Sequence, residues 1–196
     1  MAALTILIIR HAEKPDPNQP DLGNGVTERG VDDKHCLAIR GWQRAGAWAA
    51  LFGFGAFGPD YPKPNVVFAA NPAIPAPGNN IASRRHHQTI QPLCDRLHID
   101  PDLTFGVGQE EMLIAAVTRL TGTVLISWEH KKIPEKILPL LVGQQPIPHV
   151  PVKWSESRFD VVLRFDRPNK DAEWSFRQMF PMLIKGDSDI PLKDRD

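Results

Sequence analysis

Three short segments constrain this chain more than anything else in it: LTILII (residues 4–9), NVVFAA (65–70) and TVLISW (123–128). Each is apolar and rich in β-branched residues, with little of the alternation of a strand that has one wet face. Such runs suit central strands covered on both sides. Helical patterns stand between them. In LAIRGWQRAGAWAALF (37–52), Trp42, Ala45, Trp48, Ala49 and Phe52 recur at helical spacing. Residues 83–97 predict a helix with Ile90, Leu93, Cys94 and Leu97 on one face, either disturbed by Pro92 or carrying it in its first turns. EEMLIAAVTRL puts Met112, Leu113, Ala116, Val117 and Leu120 on one stripe, and a further helix starts near Pro134. The end of the chain changes style. Phe159, Val161, Leu163 and Phe165 alternate with polar residues, and Trp174, Phe176 and Phe180 share a face, which predicts an antiparallel pair at a sheet edge. The expected fold is α/β: a three-layer α/β/α sandwich with a mostly parallel central sheet and a C-terminal antiparallel hairpin.

With 196 residues, a single domain over 1–196 is expected, long enough for a sizeable core. Lys plus Arg and Asp plus Glu both number 23. No net field favours nucleic acid or an anionic membrane, so any anion site must be local. The first apolar run is short and ends on a charged pair, unlike a signal peptide, and no run approaches a membrane span. Cys36 and Cys94 form neither a CxxC pair nor a metal cage, so a reducing cytoplasm is the expected location. The prolines cluster in 15–20, 59–77 and 146–151, as in ordered loops. The polar tail GDSDIPLKDRD is expected to be loose at its end.

In sheets of this kind ligands bind beyond the carboxyl ends of strands. Arg10 and His11 follow the first apolar run, and Glu129 and His130 follow TVLISW. The planar guanidinium of arginine matches phosphate oxygens in pairs. A neutral imidazole can act as a nucleophile, and a second can donate a hydrogen bond to a phosphoryl oxygen. Arg10, His11, Arg85 and His130 together would form a phosphate pocket that needs no metal.

The motifs LIIRHAEKP, LAIRGWQRA, SRRHHQTIQPL and VLISWEHKKI, in this order, resemble those of the histidine phosphatase superfamily, the phosphoglycerate-mutase-like proteins. The closing RFDVVLRFD and WSFRQMFPML resemble the terminal hairpin of its small bacterial-type members. The resemblance implies that His11 is the nucleophile, that Arg10 and Arg85 bind the phosphoryl group, and that His130 is the second phosphate-pocket histidine. It implies no metal and no cofactor. Three positions depart from the pattern. Ala12 and Lys131 stand where glycine is usual, and Pro17 replaces the asparagine of mutase-type members. For the proton donor to the leaving group, Glu13, Glu110, Glu111 and Glu129 are candidates. Related enzymes often take it from the segment after the second motif, which points to Glu110 or Glu111, with Glu110 favoured.

The function expected is a metal-independent phosphomonoester hydrolase working through phospho-His11. Its partner would be a phosphorylated small molecule or phosphopeptide, with no nucleic acid and no membrane. A mutase-type phosphoryl transferase, capped by residues 15–36 or 71–82, is the alternative within enzymes. A phospho-ligand binding module is the alternative outside them. His86 and His87 are adjacent, so on a helix they face different ways; they are read as surface or pocket-edge polarity rather than metal ligands. His35, His98 and His149 are read as incidental, and Trp128 as either pocket lining or packing. No GxSxG elbow, P-loop or GxGxxG is present. The sequence is silent on oligomeric state.

Overall fold

The structure, a computed structural model, describes residues 3–78 and 83–194. Five strands form one sheet: β1 (Leu4–Arg10), β2 (Val66–Ala69), β3 (Gly122–Trp128), β4 (Val162–Arg167) and β5 (Ser175–Met179). Their order is β2-β3-β1-β4-β5. The pairs β2–β3 and β3–β1 are parallel, whereas β1–β4 and β4–β5 are antiparallel. The sheet is therefore mixed rather than mostly parallel. From β3 the chain passes through helical residues 133–142 and then an irregular segment, 143–161, before β4 joins the open edge of β1 in the opposite sense. A short turn then forces β5 antiparallel to it. The expected hairpin is present, with β5 at the edge.

Four helices, α1 (Ile39–Gly53), α2 (Arg85–Leu97), α3 (Glu110–Val117) and α4 (Leu138–Val142), cover the sheet, the last entered through a π-turn at Ile133–Ile137. Strand β1 shows why both faces must be covered. Leu4, Ile6 and Ile8 enter one core with Leu113, Val117, Ile137 and Leu138. Leu7 and Ile9 enter the other with Trp48, Phe52, Ile90 and Leu93. A strand that sends apolar side chains to both faces leaves neither for water.

Two helical expectations shift. α3 buries Glu110, Leu113, Ile114 and Val117, and Met112 is half exposed. This short helix starts on a carboxylate turned inward, which rotates the stripe by one position. Pro92 lies mid-helix in α2 and the helix continues through it. The tail is not loose over its described residues. Asp187 accepts from Leu183 N (2.8 Å), Ile184 N (3.0 Å) and Arg44 Nη2 (2.8 Å). Leu192 is buried, and Val152 N donates to Lys193 O. The cysteines are free and buried. Among the described residues no helix is long and apolar enough to cross a membrane.

Candidate active site

The register of β1 on β3 decides what meets at their carboxyl ends. Arg10 lies opposite Trp128, and His11 N–H donates to Trp128 O at 3.1 Å. The segments Arg10–His11 and Glu129–His130 therefore leave the sheet side by side. The N-terminus of α2 supplies the third wall. The Thr89 hydroxyl donates to Arg85 O (2.7 Å) and accepts from Ala12 N (2.8 Å), which fastens the first turn of α2 to the loop after His11. Ala12 packs without exposure against Leu37 and Ala45, so a small side chain suits that position. On the other side Gly41 meets the loop. A Cβ there would lie 2.4 Å from Glu13 O, which no larger residue tolerates without displacing the backbone.

These walls enclose a cleft of about 270 Å³ lined by His11, Arg85, His86, Glu129, His130 and Lys131, among others. The His11 ring centroid is 6.2 Å from that of His130 and 5.2 Å from that of His86. His11 Nδ1 is 2.8 Å from Ala12 O. A carbonyl only accepts, so the proton belongs on Nδ1 and Nε2 keeps its lone pair. Burial, and then the neighbouring His86 and Arg10, hold His11 well below the ordinary histidine range. At neutral pH the ring is uncharged, with the lone pair on Nε2.

Arg10 is buried behind His11 and is not part of the cleft lining. Its Nη1 donates to Ser155 O (3.1 Å), Glu156 O (2.9 Å) and Arg158 O (3.1 Å), and the guanidinium lies 3.9 Å over the Phe159 ring. Its buried Nε has no partner among the described residues. Burial lowers it to about 9, with Glu129 and Glu13 opposing, so it stays charged at neutral pH. Arg85 lines the cleft, with Nε on Cys36 O (3.2 Å) and Nη2 on Lys34 O (2.8 Å). The first turn of α2 carries no acidic residue and is basic. Positive charge there opposes the helix dipole, a conflict that an anion in the cleft relieves.

The carboxylates divide by environment. Glu129 Oε2 accepts from Lys131 N (3.1 Å) and Lys132 N (2.9 Å), and its Oε1 lies 3.0 Å from His130 Nδ1. Burial pushes Glu129 up, but His130 and the two amides outweigh it and hold the carboxyl down at about 2. Glu129 is thus an anchor for His130 and a poor proton donor. Glu13 is buried in a two-pronged pair with Arg44, whose Nε and Nη2 reach it at 2.9 and 2.8 Å. Glu110 Oε1 accepts from Trp128 Nε1 (2.9 Å) and Gly108 N (2.9 Å). Glu110 lines an adjoining hollow that shares Glu129 and Lys131 with the cleft, and is not part of the cleft itself. Glu111 is exposed. Trp128 is fully buried and holds Glu110 rather than facing the cleft.

The structure therefore brings His11, Arg85 and His130 to one cleft, places Arg10 directly behind it and sets Glu110 beside it. Residues 71–78 supply Asn71, Ile74 and Ala76 to the lining; residues 79–82 of the anticipated cap lie outside the described residues. From the 15–36 loop, Lys34 and Cys36 hold Arg85, while Gln19, Asp21 and Leu22 line a separate hollow. His86, read from sequence as surface or pocket-edge polarity, lines the cleft and is buried rather than at the surface. It continues the apolar stripe of Ile90 and Leu93 one turn toward the N-terminus, a signal that was present in the spacing. Glu129 as the anchor of His130 carried no such signal. Among the described residues, no three His, Cys, Asp or Glu side chains are grouped so as to hold a metal ion. Compared with models of known protein families and with curated proteins, the chain finds no match.

Proposed function

We propose that this chain is a phosphomonoester hydrolase of the histidine phosphatase type, a three-layer α/β/α protein of the cytoplasm acting on a phosphorylated small molecule or phosphopeptide. The observation that carries the reading is His11. Its Nδ1 faces a carbonyl, its Nε2 is unprotonated, and it shares a cleft with Arg85 and His130. In the proposed reaction the Nε2 lone pair attacks phosphorus and an N–P bond forms. The P–O bond to the leaving group breaks, and the leaving oxygen keeps the electron pair and takes up a proton. Water then attacks phosphorus, the N–P bond breaks with its electron pair returning to Nε2, and phosphate leaves. Arg85 and the unpaired Nε of Arg10 stabilise the charge on the phosphoryl oxygens. His130, oriented by Glu129, donates the remaining hydrogen bond. With Glu129 ionised and Glu110 in the adjoining hollow, substrates with good leaving groups are favoured.

The test is turnover of p-nitrophenyl phosphate by wild type and His11→Ala. The substitution is expected to lower kcat/KM by roughly a thousandfold or more, with the thermal midpoint preserved. Rapid acid-free quenching of the wild type should trap an acid-labile phosphate on His11, and a chelator should change nothing. Undiminished turnover by His11→Ala sinks the reading.

A further inference from the structure

The proposed reaction gives no task to the third imidazole of the cleft. His86 is 3% exposed and stands edge-to-face with His11, ring centroids 5.2 Å apart and planes at 90°. Neither Nδ1 nor Nε2 makes a well-formed hydrogen bond among the described residues, the Ser83 backbone approaching the ring without closing one. Two buried, unpartnered ring nitrogens weaken a fold, and such groups call for an explanation. Packing does not supply one. The position belongs to the stripe of Ile90 and Leu93, where a hydrocarbon would fill the space at no polar cost. The edge-to-face contact also leaves His86 no hydrogen bond to His11. Its nitrogens are free for a third party in the cleft, beside Arg85 and at the N-terminus of α2.

We propose that His86 contacts the ligand directly, its ring N–H donating a hydrogen bond to an oxygen of the phosphoryl group that His11 attacks. The inference rests on the phosphatase reading and extends its pocket by one donor. A neutral imidazole always carries one N–H, so the contact needs no proton uptake and operates at neutral pH. It also explains an otherwise hostile arrangement. An imidazole edge, the Arg85 guanidinium and a helix N-terminus line one cleft, and each favours an oxyanion there.

The experiment measures orthovanadate binding and p-nitrophenyl phosphate turnover in wild type, His86→Phe and His86→Gln. Phenylalanine keeps the ring volume and removes the donor; glutamine restores an N–H donor. For His86→Phe, the Kd of orthovanadate should rise roughly tenfold with a matching fall in kcat/KM, while His86→Gln stays within about threefold of wild type. His86→Phe should unfold no earlier than wild type, since the unpartnered nitrogens are gone. Orthovanadate added to wild type should also shift the His86 ring nitrogen and N–H resonances in NMR spectra, a readout that depends on no variant. Unshifted resonances, vanadate affinity unchanged in His86→Phe, or a loss in His86→Gln as large as in His86→Phe overturns the proposal while leaving the phosphatase reading intact. Wild-type protein that neither binds orthovanadate nor turns over the ester overturns both.

Discussion

Two buried polar clusters lie within three residues of each other along the first loop, and they are built in opposite ways. Around Glu13, Arg44 meets both Glu13 oxygens and both Asp187 oxygens, and Asp187 also accepts two backbone amides. Around His11, Arg10 Nε and both nitrogens of His86 and of His130 make no well-formed hydrogen bond among the described residues, although Glu129 Oε1 lies 3.0 Å from His130 Nδ1. The first cluster is internally complete, as a structural ion pair must be to offset its desolvation. The second is incomplete, and under the proposed function a tetrahedral oxyanion would supply the acceptors that it lacks.

The comparison can be broken most strongly at Arg44. Arg44→Ala strands Glu13 and Asp187 and should cost about 3–5 kcal/mol in urea unfolding, since removing one partner leaves uncompensated buried charge. A cost below about 1 kcal/mol would mean that the completed cluster does not hold the loop.

Acid separates the two clusters next. His86 is held near 4 by burial, and His11 well below 6.5 by burial, His86 and Arg10. Both are neutral when folded and charge when unfolded. Their contribution is fully present above about pH 6.5 and is lost as pH falls, at about 1.4 kcal/mol per pH unit for each ring. For His86 the loss ends near its folded value of about 4. Asp187, held low chiefly by Arg44 against the opposing effect of burial, begins to lose its contribution only in the range where free aspartate titrates. Destabilisation between pH 6.5 and 4.5 therefore comes from His11 and His86, with a further contribution from His87, which burial also lowers, and His86→Phe should remove a third to about half of that slope in unfolding titrations. An unchanged slope would contradict the assignment.

The smallest effect is expected at Glu129. Glu129→Gln keeps acceptors for the Lys131 and Lys132 amides and removes the charge beside His130. Kinetic assays should find kcat/KM reduced about fivefold, roughly 1 kcal/mol, with stability within about 1 kcal/mol of wild type. A loss as large as that of His11→Ala would make Glu129 more than an anchor.

How much of this was legible in the sequence depended on the range of the interaction that decides it. The three apolar runs, α1 and the hairpin were readable because periodicity is local. The parallel register of β1 on β3 was implicit in two strand ends that both finish on histidine. The antiparallel entry of β4 beside β1 was not legible, because strand order depends on how the intervening segment 143–161 crosses the molecule. Arg10 shows the same limit. Its identity suggested phosphate, but its depth is set by the carbonyls of Ser155, Glu156 and Arg158, well over a hundred residues away. Glu13 was ambiguous for the matching reason: its partner Arg44 is 31 residues on, and only folding brings them together.

Asp187 gives this arrangement a direction in time. It closes on Arg44 across 143 residues, and Arg44 holds Glu13, two positions beyond His11. During synthesis, which runs from the N-terminus, all five strands emerge before the residue that fastens the loop after His11. A chain interrupted just short of Asp187 has its sheet and lacks its latch. His11 is thus among the first residues made, and its loop among the last to be secured.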